Sequence, residues 1–325
     1  MQTLQEKIRD FLDLVPDDGL SLSKPEVLAL SGAAFRTYVF VPDDNYNWTE
    51  VHPDQTDRVD ALEVDNYGAF EALRVHTGWA RREWNLKQAS DLFALVKTET
   101  EAGRPLLRYG KDGKRALVTG IERERYEASL VLERDGETET LSLGSLKEGE
   151  EVLQRAGKLV TVREDRVDSE ARRQRALTRD LLVWIARHHH CKKELAYDKD
   201  AYFAAGRRAM LIMAQRLLDE AKTKEAYPYY NAWLSEVIEA RHAAAAFWET
   251  DTARTWLTSD SQEVVRDRAA TMKGALRAFS AETADGVIES AEHATVAAKL
   301  LSELVSLEDQ IAEALQGGGI RELPE

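Results

Sequence analysis

The sequence predicts an α+β domain followed by an all-α helical bundle, and three observations predict it. The strand-like runs and most of the turn residues lie before about residue 165. From about Asp168 to Gln316, apolar residues recur at helical spacing, as in Leu177, Leu181, Trp184 and Ile185. Within the first half, helices precede a strand meander instead of alternating with strands, which is the order of an α+β fold and not of a doubly wound sheet. The expected division is 1–165 and 166–325, in keeping with a chain of 325 residues, because single cores seldom grow beyond about 250 residues.

The elements follow in order. IRDFLDLV reads as a short amphipathic helix and KPEVLALSG as a second that stops at Ser31-Gly32, where glycine most easily takes the left-handed conformation of a helix end. SGAAFR then leads into the apolar run YVFV and aims Arg36 at the edge of a core. FVPDDNYNWTEVHPDQTDRVD is polar, carries Pro42 and Pro53, and reads as a long ordered loop. NYGAFEALRVHTG and KQASDLFALVKTETEAG are helices, followed by the strands PLLRYG, RALVTGI, ASLVLER, TETLSL and KLVTV with KDGK and RDGE among the turns. In the second half, breaks from Ala196, Thr223, Thr250 and Thr283 leave about five helices. Asp200 and Ser259 or Ser261 are the expected N-caps, and Pro228 suits a first helical turn. Gly317 to Gly319 close the last helix, and IRELPE is expected to fray.

Composition narrows the function classes. A hydrophobic content of 43% with seven Trp and ten Tyr supports packed cores and argues against wholesale disorder. A net charge of −14 and a pI near 5.1 argue against nucleic acid as a partner, since phosphate binding needs a dominant basic surface. The first residues lack a basic region followed by an apolar one, and no run approaches the roughly 18 apolar residues of a membrane span. The expectation is therefore a cytoplasmic protein with no membrane partner. One cysteine, Cys191, excludes an internal disulfide and a Cys-rich zinc site.

Several segments carry a resemblance. SGAAFR after a short helix, an aromatic-bearing loop, then EAGRPLLRYG, a turn and RALVTGIE resemble the C39-like, butirosin-biosynthesis-H-like branch of the papain-like cysteine peptidase superfamily. FAAGRRAM and YYNAWLSEVIEARHAAAAFW look like the Gly-containing and Arg-containing helices that follow that domain. The resemblance implies a papain-like (C39-like) first domain and a catalytic Cys upstream of SGAAFR. It also implies a partner His at the strand after the GRP strand. Met1 to Lys24 contains no Cys, and KDGKRALVTG contains no His. Ser21 or Ser23 as a substitute nucleophile has no identifiable base. The expectation is a catalytically degenerate fold.

Four groups of residues bear on chemistry. RHHHCKK, with its cluster His188 to Cys191, reads either as a metal site or activated thiolate, or as cationic side chains favoured at a helix C-terminus. Successive helical residues point about 100° apart, so three consecutive His cannot face one metal. Glu239 and His242 share a helix face at i,i+3, and with Glu289 and His293 they form the alternative metal set, against a reading as surface pairs. Arg104 opens a strand and most simply pairs with a nearby acid. Arg36, Tyr46, Trp48 and His52 lie on the segment that lines the cleft in the fold the resemblance implies. There the Arg could hold a carboxylate or phosphate, or else pair with Asp43 or Asp44.

These readings converge on a binding protein without a cofactor, taking a small molecule or peptide in a cleft between the α+β domain and the bundle. An acyl- or aminoacyl-transferase using a non-standard nucleophile is the enzymatic alternative. A helical interaction protein that forms a homodimer through RHAAAAFW is the third, with tight packing inside one bundle the favoured reading of those alanines.

Overall fold

The computed structural model describes residues 4–16, 20–42, 68–110, 115–134, 136–165, 171–191, 195–198, 201–219 and 227–321. Among them the chain is α+β, with one six-stranded and one three-stranded sheet. Beyond the first five residues it forms two compact units. One gathers Glu6–Ser21 and Leu73–Ser169; the other gathers Leu22–Ala72 and Glu170–Glu325.

The first unit contains most of α1 (Leu4–Leu14), the greater part of α3 (Ala69–Thr77) and an antiparallel sheet. Its strands are β2 (Trp79–Trp84), β3 (Leu106–Tyr109), β4 (Arg115–Glu124), β5 (Glu127–Arg134), β6 (Glu137–Ser145) and β7 (Lys158–Glu164), in the order β2-β7-β3-β4-β5-β6. Strand β5 alternates as its sequence requires, burying Ala128, Leu130 and Leu132 on one face. That face is covered by α4 (Ala89–Glu101), through Leu92, Leu95 and Val96, and by α5 (Gly149–Ala156), through Val152 and Ala156. Each such aliphatic side chain contributes about 1.5–3 kcal/mol on burial. Asp10 of α1 accepts hydrogen bonds from Tyr109 Oη and from Arg115 Nη1, the latter at 2.9 Å.

The second unit is built on α2 (Lys24–Leu30), the 3₁₀ turn Ala33–Phe35, β1 (Tyr38–Pro42) and the helices that follow residue 170. The sequence reading placed hardly any strand after Asp168, yet β8 (Leu195–Asp198) and β9 (Ala201–Ala205) form a hairpin there. Strand β9 pairs antiparallel with β1, Tyr38 opposite Ala205, giving the sheet β1-β9-β8. This pairing places β1 with the C-terminal helices, so the bounds of the compact units differ from the expected 1–165 and 166–325. The segments LAYD and AYFAA are short and lie between helices, so local periodicity does not mark them.

Around this sheet lie α6 (Ala171–His189), α7 (Gly206–Asp219), α8 (Tyr227–Phe247), α9 (Asp251–Thr255), α10 (Ser259–Glu282) and α11 (Ala291–Ala314), six helices where about five were expected. The additional one, α9, is capped by Thr250 Oγ1, which accepts from Ala253 N at 3.2 Å. Thr258, rather than Ser259 or Ser261, is the N-cap residue of α10, while Ser261 is buried and donates to Ala314 O. Asp200 lies outside the described residues. Pro228 falls in the first turn of α8 as expected. That helix buries Trp233, Val237, Ala240, Ala244 and Phe247, and Ala243 and Ala245 are buried with them. Three of the four alanines of the run therefore serve packing inside the unit. The chain end is held as far as Arg321, whose N donates to Trp256 O at 2.8 Å, instead of fraying from Ile320. No described helix is long and apolar enough to cross a membrane.

Candidate functional site: two buried arginines of the helical unit

The turn that leads into β1 positions both arginines. Helix α2 stops where Gly32 takes φ +81°, a conformation that costs a side-chain-bearing residue and not glycine. The 3₁₀ turn Ala33–Phe35 then drops the chain into extended backbone at Arg36. Arg36 is 2% exposed. Its guanidinium carbon lies 5.4 Å from the centroid of the Trp184 ring. Trp184 stacks on His188 at 4.7 Å, and His188 meets Tyr38 edge-on at 5.2 Å. His188 Nε2 accepts from Thr37 N at 3.3 Å, which fixes the ring in this stack. The wall runs from fully buried Tyr38 out to half-buried Trp184.

The guanidinium itself is unsatisfied. Among the described residues neither Nε nor Nη2 of Arg36 has a hydrogen-bond partner and no carboxylate pairs with it. The expected acids Asp43 and Asp44 lie outside the described residues, and so do Tyr46, Trp48 and His52. Stacking on an indole returns about 0.5–2 kcal/mol. Burial of an ion without a counter-charge costs several kcal/mol, so stacking alone does not balance it.

Arg241, on α8, is buried to the same degree and fully engaged. Its Nε donates to Glu308 Oε1 at 2.5 Å and Nη2 to Glu308 Oε2 at 3.2 Å. Nη2 also donates to Thr37 Oγ1 at 2.6 Å, and Nη1 to the carbonyls of Ala34 and Arg36 at 3.3 and 3.2 Å. Burial raises the Glu308 carboxyl, but Arg241 and then His189 outweigh it and bring it down to about 2. His189 is pulled down by burial and pushed up more strongly by Glu308 and Asp309, leaving it above its ordinary value. Its Nδ1 lies 3.2 Å from Glu308 Oε2 and its Nε2 lies 2.9 Å from Asp309 Oδ1. His190 is lowered, by burial first and then by the charge of His189.

One glycine lets these parts meet. Gly206 opens α7 with φ +53°, its N donating to Thr37 O at 2.8 Å. A Cβ at Gly206 would sit 2.4 Å from His188 O and 2.8 Å from His189 O. Only a residue without Cβ allows the end of α6 to approach the start of α7 so closely.

The other sequence candidates fall into structural roles. Arg104 Nε donates to Glu99 Oε2 at 2.8 Å, and Arg163 joins the same fully buried carboxylate, so Arg104 has the acid partner of its plainer reading. Glu239 pairs with Lys24 Nζ at 3.1 Å. His242 is exposed, and its pKa is lowered by burial and then by the nearby positive charges of Arg277 and Lys273, a field unfavourable to a metal ion. His293 Nδ1 accepts from Glu289 N at 3.4 Å. Glu239, His242, Glu289 and His293 do not converge on one point; among the described residues the grouping with metal-binding spacing is His189, His190 and Asp309. Ser23 Oγ donates to Glu26 Oε2 at 2.8 Å in a capping box, which occupies that hydroxyl. In the first unit, a groove over β2 and β7 carries Lys87, Lys147 and Lys158 against Glu83 and Glu150, and Lys158 already pairs with Glu83.

Arg241, Glu308 and Asp309 carry no signal of a site in the sequence, and Trp184 shows there only as part of a helical apolar repeat. The first three show only as an arginine on the Ala-rich face of α8 and two adjacent acids in the apolar repeat of α11. Compared with known proteins, the chain matches no family model, and no curated protein matches it.

Proposed function

We propose that this chain is a catalytically degenerate relative of the C39-like proteins that binds the anionic group of a small molecule or peptide at Arg36. The observation that carries this reading is a guanidinium 2% exposed with two nitrogens that have no hydrogen-bond partner among the described residues. A buried ion without a counter-charge is a cost that a carboxylate or phosphate from outside would remove, forming charge-assisted hydrogen bonds to the idle donors. The ring of Trp184, stacked on His188, supplies an apolar wall for the rest of such a ligand. The missing Cys upstream of SGAAFR, and the capping role of Ser23, support binding over acyl transfer.

The test is a thermal-shift series with inorganic phosphate, acetate and succinate, followed by calorimetric titration of whichever anion stabilises most. The midpoint should rise with anion concentration in the natural protein and stay unmoved in Arg36→Gln. Equal stabilisation of both proteins, or of neither by any of the three anions, would overturn the assignment.

A further inference from the structure

We propose that His189, His190 and Asp309 form a binding site for one divalent transition-metal ion of the zinc class. The ligand atoms of these three residues lie within 4.8 Å of one another, joining the C-terminal end of α6 to the C-terminal part of α11. Two ligands about 2.1 Å from a tetrahedral zinc ion stand about 3.4 Å apart. The two separations to Asp309 bracket that figure, His189 Nε2 to Asp309 Oδ1 at 2.9 Å and His190 Nδ1 to Asp309 Oδ1 at 4.0 Å, and with all three ligand atoms inside 4.8 Å a small rotation of the His190 ring would close the set on one ion. Three consecutive His do not face the ion. His188 turns inward to Thr37 and Tyr38, as the 100° step requires, and the other two reach Asp309.

The surroundings are those of a metal ligand's supporting shell. A ligating imidazole commonly donates its second N–H to a carboxylate, which fixes the ring and raises its basicity. Glu308 Oε2 stands 3.2 Å from His189 Nδ1, near enough to pair electrostatically but not aligned as a hydrogen bond, and Arg241 grips both oxygens of that carboxylate. With Nδ1 carrying the proton toward Glu308, the Nε2 lone pair is directed at Asp309 Oδ1. The ion would replace the second imidazole proton and leave the pairing with Glu308 intact. Arg207 Nη1 lies 3.3 Å from Asp309 Oδ2 and 3.4 Å from Oδ1, so it competes with the ion for this carboxylate. It is half exposed and can withdraw into solvent. Two imidazoles and one carboxylate suit zinc, cobalt or ferrous iron and leave a coordination position for water.

The full-length protein, stripped with chelator, is titrated with Co²⁺ followed by its visible absorption, and with Zn²⁺ followed by calorimetry. One ion per chain is expected, with a Zn²⁺-dependent rise in melting temperature. His190→Gln and Asp309→Asn should each weaken affinity by at least about tenfold, since even supporting-shell changes cost that much. His190 is half-buried, so its variant is the one to read if Asp309→Asn fails to fold. Arg207→Gln should tighten binding, and His242→Gln should leave it unchanged. No stoichiometric binding, or binding undiminished in His190→Gln, would overturn the site; loss in His242→Gln instead would assign the ion to that exposed histidine.

Discussion

Arg36 and Arg241 belong to one compact unit and are equally hidden from solvent, yet their polar environments are opposite. Arg241 has a bidentate carboxylate, a hydroxyl and two carbonyls. Arg36 has an aromatic face and two idle nitrogens. Since a buried charge is tolerated when paired and costly when not, the first arrangement is what a structural arginine needs, and the second is what a binding arginine looks like before its ligand arrives. On the proposed reading the difference separates stability from binding within the same few residues of backbone, because the carbonyl of Arg36 is itself an acceptor for Arg241.

The largest effect should come from breaking the satisfied arginine. Arg241→Met leaves the Glu308 carboxylate without its main counter-charge, and the expected loss is about 3–5 kcal/mol in chemical denaturation. His76 sharpens the contrast, because its Nε2 is also buried without a partner but a histidine can shed its charge. Burial lowers its pKa from 6.5 to about 4. Between those values the unfolded chain binds the proton that the folded chain refuses, so stability falls as pH falls through that window, by up to about 3 kcal/mol. His76→Gln should flatten that slope. Arginine has no such escape, which is why Arg36 points to a ligand and His76 does not. A smaller effect is expected from Gly206→Ala, which drives a Cβ into the carbonyls of His188 and His189. It should cost about 1–3 kcal/mol and disturb both arginine environments at once, weakening the anion response as well as stability.

Much of this fold is legible in the sequence, because its signals are local. ASLVLER and KLVTV alternate or run apolar as strands do, and Gly32 marks the end of α2. Strand β2 escapes notice because WARREW carries three charges in a row and gains its place by pairing with β7, not by its own periodicity. The β1 to β9 pairing escapes for a stronger reason: no local pattern in YVFV names AYFAA as its neighbour. The site divides the same way. Arg36 stands out as a cation closing an apolar run, whereas Arg241 with Glu308, and His189 with Asp309, are partners across distant helices. The helical step of 100° foretells that the three His diverge, but not which of them an acid from α11 would meet.

The most direct measurement is the denaturation free energy of Arg36→Met without ligand, beside the natural protein. If Arg36 is an unpaired binding arginine, the variant should be more stable by about 1–3 kcal/mol and should lose all stabilisation by the anion that protects the natural protein. If Arg36 is a paired structural arginine, Arg36→Met should instead be less stable by a margin like that of Arg241→Met, and the account would fail.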